Sequence, residues 1–245
     1  MRIISGKNPV KEAIKNNKAF KIYMSKHLKH KDRIELETLA DKHNVKKTYV
    51  DDSELDRISE TRIHQGVVVE AKDFEYSSIE DAINLAEKSG EKPFLIILDQ
   101  ITDVNNLGSI IRSAECAGVH GIIIPKHRSA KVNETVAKTS AGALELVNII
   151  QVTNINRTIQ ELKDKGFWIY GADMQGDKYY YDENYSTAVA LVIGSEGTGI
   201  SRLVRENCDI IIEIPMKGKI NSLNASNAAS IIMFEVMKKR NENES

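Results

Sequence analysis

Three short stretches of this chain concentrate side chains suited to holding a ligand. The first, Asp99-Gln100-Ile101-Thr102-Asp103-Val104-Asn105-Asn106-Leu107-Gly108, leads into Ser109-Ile110-Ile111-Arg112-Ser113-Ala114-Glu115. Asn106 has the residue type of a helix cap, and Gly108 permits close backbone approach. Arg112 falls among Ile110, Ile111, Ala114 and Ala117, near an apparent helix start where a cation opposes the dipole. Two explanations stand side by side: an anion such as phosphate, or an Arg112–Glu115 pair at i,i+3. The second stretch, Ile193-Gly194-Ser195-Glu196-Gly197-Thr198-Gly199-Ile200-Ser201, puts three glycines at a strand end. It lacks the Lys-Ser/Thr of a phosphate loop, and Glu196 repels phosphate. A carboxylate displayed there suits a ligand with cationic character; a plain turn is the alternative. The third is Ile214-Pro215-Met216-Lys217-Gly218-Lys219-Ile220-Asn221-Ser222-Leu223-Asn224-Ala225-Ser226-Asn227. Ser222 or Asn224 suits a helix cap, but the density of amides and hydroxyls exceeds what one cap requires, which points to recognition of a polar ligand.

The elements around these stretches follow from apolar periodicity. Residues 94–98 form a continuous apolar run, as in a strand buried on both faces of a parallel sheet. Further strands are predicted at 121–124, 147–152, 167–172, 188–193 and 210–214. Helices are predicted between them at 107–117, 133–141, 154–165 and 201–206, with a last one at 223–239. This alternation predicts an α/β fold, a mostly parallel sheet with helices on both faces, whose ligand loops leave the carboxyl ends of the strands. Upstream, helices at 8–18, 31–43 and 53–59 alternate with strands at 20–24, 45–50 and 66–71. In the second of these helices Ile34, Leu36, Leu39 and Ala40 are assigned to a core. The domain reading is 1–72, a linker and connecting helix at 73–92 with Ser78 as N-cap and Gly90 as C′ residue, and 93–245. The tail, 241–245, reads as frayed.

Charge is divided unevenly. The chain carries a net −1, yet residues 1–50 hold 13 Lys/Arg against 5 Asp/Glu, leaving −9 for the remainder. A polyanion facing the first region, through Lys26, Lys29, Lys31 and Arg33, is one explanation, and a solvated lysine-rich face is the other. No apolar run reaches the roughly 20 residues of a membrane span, and the first residues lack a secretory pattern, so a cytoplasmic location is expected. Cys116 and Cys208 sit in apolar-periodic segments and read as buried free thiols. The six His are scattered without metal-ligand spacing, so no metal is expected. No G-x-G-x-x-G follows the first long strand, which disfavours a dinucleotide oxidoreductase.

Taken jointly, the three stretches resemble the motifs of the SpoU (TrmH) family of RNA ribose 2′-O-methyltransferases. The first is similar through Asn106, Leu107, Gly108, Arg112 and Ala114, and the second through residues 194–199. The third is similar through Ile214-Pro215-Met216 and Ser222-Leu223-Asn224-Ala225-Ser226. Arg128-Ser129-Ala130 and Thr139-Ser140-Ala141-Gly142-Ala143 agree as well. The N-terminal Ser5-Gly6-Lys7-Asn8-Pro9-Val10 resembles the substrate-binding module of the RlmB-like branch, itself similar to large-subunit ribosomal proteins. Val104 departs from the Pro that many members carry. Asn227 and Ser230 depart from small or apolar residues of the usual last helix.

The resemblance implies a SPOUT-type domain with a deep trefoil knot, a homodimer, and S-adenosylmethionine as methyl donor. It further implies Arg112, Asn106, Glu196, Ser222 and Asn224 in catalysis. Gly194, Ile214, Leu223, Met216, Glu196 and Gly199 are implied at the cofactor, and Lys26, Lys29, Lys31, Arg33 and Arg128 are taken as RNA contacts. The activity expected is 2′-O-methylation of a guanosine in 23S rRNA, acting on the RNA or on a precursor ribosomal particle. A tRNA ribose methyltransferase or an rRNA-modifying resistance enzyme is the near alternative. A catalytically silent RNA-binding or ribosome-assembly factor is the non-enzyme alternative, against which the presence of all five catalytic candidates speaks.

Overall fold

The computed structural model describes residues 1–59, 63–220 and 222–243. Asn221 of the third stretch lies outside the described residues. The chain divides into two compact units, Met1–Glu75 with Val132–Leu146, and Tyr76–Lys131 with Val147–Ser245.

The first unit is built on β1 (Arg2–Ser5), α1 (Lys7–Lys15), β2 (Ala19–Ser25), α2 (His30–Lys42), β3 (Lys46–Val50), α3 (Asp52–Ser59) and β4 (Val67–Ala71). Its sheet has the order β1-β4-β2-β3, with β2 and β3 parallel and the other pairs antiparallel. The helices bury Val10, Ala13 and Ile14 of α1 and Leu36 and Ala40 of α2 against Ile4, Ile22, Met24, Val67 and Val69. Ile34, assigned above to this core, is instead 49% exposed. At 3.6 residues per turn it lies roughly 200° around α2 from Leu36, so the two cannot share a face.

The second unit opens with α4 (Ile79–Ser89). Ser78 caps it by accepting the Asp81 N–H, Asp81 reciprocates, and Gly90 ends it in the left-handed region at φ 73°. Then follow β5 (Phe94–Leu98), α5 (Val104–Cys116) and β6 (Gly121–Pro125). After α6 (Glu134–Thr139) and a single 3₁₀ turn (Ala143–Glu145) come β7 (Asn148–Val152), α7 (Ile155–Asp164), β8 (Trp168–Ala172), β9 (Lys178–Tyr179), β10 (Val189–Ile193), α8 (Arg202–Glu206), β11 (Ile210–Glu213) and α9 (Ala225–Asn243). The sheet is entirely parallel, in the order β7-β6-β5-β10-β8-β11-β9. Strands β5 and β10 are buried along their whole length, as their unbroken apolar runs require. The chain moves outward from β5 through β6 and β7, then returns to the far side of β5. This reversal creates a switch point at β5 and β10. The last helix continues through residues 241–243, expected above to be frayed. Among the described residues no helix is long and apolar enough to cross a membrane.

Two expectations change here. Residues 132–146, placed above with the second domain, group with the first unit. The Glu145 carboxylate, its side chain 2% exposed, meets the Arg2 guanidinium at 2.5 Å and the Lys18 ammonium at 2.9 Å, and Ser5 Oγ donates to Glu134 at 3.0 Å. A buried carboxylate needs such partners, and these cations lie at the start of the chain. The thiols are free, as expected, but not both buried. Cys116 ends α5 exposed, whereas Cys208 is half-buried, and burial pushes its thiol up to about 12.

Candidate active site

A cleft of about 500 Å³ opens at the carboxyl ends of β8, β10 and β11. Gly194, Ser195, Glu196, Thr198 and Gly199 form one wall, and Ile212 to Met216 of β11 and its loop form another. Ser222, Leu223, Ala225, Ala228 and Ile232 close it from the start of α9, and Ala172 to Gln175 follow from β8. The glycine loop folds back tightly. Ser195 N–H donates to the Gly199 carbonyl at 3.1 Å, and Gly199 N–H donates to the Ser195 carbonyl at 2.9 Å. A Cβ on Gly194 would sit 2.1 Å from the Gly199 carbonyl carbon, so no other residue fits there. The fold-back leaves Glu196 exposed at the tip.

One carboxylate oxygen of Glu196 gathers all three stretches. Asn106 Nδ2 donates to it at 2.8 Å, Ala225 N–H at 3.3 Å, and Asn224 Nδ2 by a shorter bond. Asn224 Nδ2 also donates to Asn106 Oδ1 at 2.9 Å. The Asn224 side-chain oxygen caps α9, accepting from Ser226 N–H at 2.9 Å and Ser226 Oγ at 2.5 Å. Asn106 is not the cap of α5. Asp103 takes that position, accepting the N–H groups of Asn105 and Asn106 at 2.8 Å, which frees the Asn106 amide for the network. Buried Asp99, overlooked in the sequence, accepts the Ser201 N–H at 2.7 Å and ties the end of β5 to the exit of the glycine loop.

Arg112 is exposed, outside the cleft lining, and among the described residues it makes no ion pair, so the Glu115 pairing does not form. Because α5 starts at Val104, Arg112 lies past its middle, and the dipole argument made above falls away. What stays is an unpaired surface cation six residues along α5 from Asn106. Of the remaining candidates, Gly194, Glu196, Gly199, Ile214, Met216, Ser222 and Leu223 line the cleft. Arg128 is exposed in a loop at φ 58°. In the first unit, Lys26, Lys29, Lys31 and Arg33 cluster where β2 leads into α2. Lys26 pairs with Asp51 at 3.2 Å. Arg33 is half-buried, donates to the Lys26 carbonyl at 2.6 Å and lies over the Tyr49 ring, so it braces the cluster rather than presenting a free cation. Ser230 faces away from the cleft, bonding Ser113 Oγ of α5 at 2.8 Å. Asp173, Gln175 and Glu213 were missed. Their position at strand carboxyl ends was the available signal.

An all-parallel sheet with a cleft at the carboxyl ends of its strands is a frame that binds small molecules. The SpoU rRNA Methylase family pattern matches residues 93–234, and that described as RNA 2′-O ribose methyltransferase substrate binding matches residues 3–77. A Bacillus subtilis (strain 168) protein named for the TrmH family of tRNA/rRNA methyltransferases, YacO, is 42% identical over 239 residues, 97% of this chain and 96% of the relative. The SpoU methyltransferase AviRb of Streptomyces viridochromogenes, solved in complex with the cofactor AdoMet, has the same fold, with a TM-score of 0.80 at 24% identity over 98% of this chain and 90% of that one. A TrmH/SpoU tRNA modifying enzyme of A. aeolicus is 29% identical, with a TM-score of 0.57 over 63% of this chain and 78% of that one. The chain belongs to the SpoU (TrmH) family of RNA methyltransferases.

Proposed function

We propose that this protein methylates the ribose 2′-hydroxyl of a guanosine in 23S rRNA, using S-adenosylmethionine and acting as a homodimer. The observation that carries the reading is the union of Asn106, Glu196 and Asn224 at the rim of a cleft of about 500 Å³. The basic first unit, matched over 3–77 by a substrate-binding family, supports a large structured RNA as substrate. The deep trefoil knot expected from the resemblance belongs to the same reading. The test is tritium transfer from labelled S-adenosylmethionine to total rRNA and tRNA of a deletion strain, with mapping of the modified ribose. Label in rRNA at one guanosine supports the reading, and label confined to tRNA favours the second reading, tRNA ribose methylation. Relatives named for both RNAs keep that second reading in view.

The residues of the cleft fit the donor. Apolar Ile193, Ile214, Leu223 and Ile232 offer a dry wall for an adenine ring, while backbone groups at Gly194, Ile214 and Leu223 stand at strand and loop ends where a nucleoside edge would be read. When bound, the donor supplies an electrophilic methyl group on a sulfonium. The chain's own task is to make a weakly acidic sugar hydroxyl reactive. Arg112, always cationic, holds the substrate phosphate and stabilises the alkoxide character that develops on the ribose oxygen. Asn106, its amide fixed at both ends, orients the ribose. Glu196 fixes Asn106 and Asn224 in turn, so it acts largely as a positioning group. Ser222 shapes the entrance, and Met216 covers the adenosyl side.

A further inference from the structure

We propose that the cleft favours the cationic methyl donor over its neutral product by charge, and that Glu213 is a specificity-determining residue in that choice. The inference rests on reading the cleft as the S-adenosylmethionine site. Among the described residues the lining holds three carboxylates, Asp173, Glu196 and Glu213, and no Lys, Arg or His. Asp173 is neutralised by Arg205 at 3.0 Å. The other two are not. Glu196 accepts only amide N–H groups, and Glu213 accepts the Gly176 N–H at 3.0 Å; neither forms an ion pair among the described residues. Neutral donors satisfy the hydrogen bonding of a carboxylate while leaving its charge in place. Two uncompensated negative charges therefore face a cleft whose other walls are apolar, as at Ile193, Ile214 and Leu223, or uncharged, as at Ser195, Thr198 and Gln175, where a cationic ligand is the complement.

The chemistry makes that charge selective. In the transfer, a lone pair of the ribose oxygen forms the new O–CH₃ bond, the C–S bonding pair stays on sulfur, and the hydroxyl proton passes to solvent water. The ligand left behind has lost one positive charge. Attraction present before transfer is thus absent afterwards, which speeds product departure. Glu213 also has a structural task, because the Gly176 loop wraps closely over it; a Cβ on Gly176 would lie 2.6 Å from the Glu213 nitrogen. Glu213→Gln separates the two tasks, since its side-chain carbonyl still accepts the Gly176 N–H while the charge is gone.

The test is calorimetric binding of S-adenosylmethionine and of S-adenosylhomocysteine to the full-length protein at low ionic strength. In Glu213→Gln the donor is expected to bind about fivefold more weakly, with the product unchanged within about twofold. Wild-type preference for the donor is expected to shrink in parallel when ionic strength rises about tenfold, a measurement that serves if the variant does not fold. Equal weakening of both ligands, or of neither, together with a salt-independent preference, overturns the charge proposal alone. Wild-type protein that binds neither compound overturns the reading of the cleft itself.

Discussion

Asn106 and Glu196 lie ninety residues apart in the chain and 2.8 Å apart in space. The bond joins the first turn of α5 to the tip of the glycine loop, and Asn224 closes the triangle from the start of α9. Each of the three elements leaves a different strand or loop, so the Glu196 carboxylate is what holds the rim of the cleft as one surface.

That arrangement predicts strong non-additivity. Asn106→Ala and Glu196→Ala are each expected to reduce kcat by about 10- to 100-fold, and the double variant by little more than the worse single one. Single-turnover methylation across the four proteins of the cycle gives the coupling. Independent, multiplying effects contradict a shared network.

The far end of α9 carries a second anchor. Arg240 donates to the carbonyls of Lys92 at 2.6 Å, Thr187 at 2.9 Å, Tyr185 at 3.2 Å and Pro93 at 3.3 Å, and lies over the Phe94 ring. Four carbonyls sharing one guanidinium predict that Arg240→Ala lowers unfolding stability by about 2 kcal/mol. Urea denaturation checks this, with Arg240→Lys expected to recover only part of the loss because it lacks the planar fork.

His120 gives the protein an acid-sensitive point. It is 4% exposed, its Nδ1 accepts the Phe94 N–H at 3.1 Å, and its Nε2 faces Glu91 at 3.2 Å. Burial holds its pKa below the usual imidazole value, against the pull of Glu91 and with a smaller push from Arg240. The unfolded chain therefore takes up the proton more readily, and stability contributed by neutral His120 is complete above about pH 6.5 and declines as the pH falls below it. Chemical denaturation at about pH 7.5 and about pH 5.5 is expected to show this loss in wild type and a smaller one in His120→Gln.

Lys29 and Lys31 are exposed at the start of α2, whereas Lys26 already pairs with Asp51. RNA affinity is expected to fall steeply with salt. Each neutralised phosphate contact at Lys29 or Lys31 should flatten the log–log slope by roughly 0.7–0.9, and Lys26→Ala by less. A slope unchanged in Lys29→Ala/Lys31→Ala places the RNA footprint elsewhere.

Long apolar runs and glycine-bounded loops made most of this fold readable in advance. The runs at β5 and β10 announce strands buried on both faces, and Ser78 and Gly90 mark the ends of α4 because capping is local chemistry. Two-residue β9 and four-residue β1 escaped, since such short strands exist only through their partners, Glu213 and Ala71 among them. The helix carrying Arg112 begins three residues earlier than its apolar spacing indicates, because Asp103, rather than Asn106, supplies the cap. At the site, the residue types of the three stretches were legible. Their convergence on a single Glu196 oxygen was not, since it depends on strand order rather than on spacing. Asp173 and Glu213 had no sequence mark beyond their place at strand ends.

If Arg112 activates a ribose hydroxyl of RNA beside a donor held in the cleft, removing its guanidinium costs turnover and spares donor binding. Quantifying both turnover and S-adenosylmethionine affinity in Arg112→Ala tests it most directly. Methyl transfer is expected to fall by about 10³-fold or more, with donor affinity within a few-fold of wild type. Near-normal turnover in that variant would contradict that role.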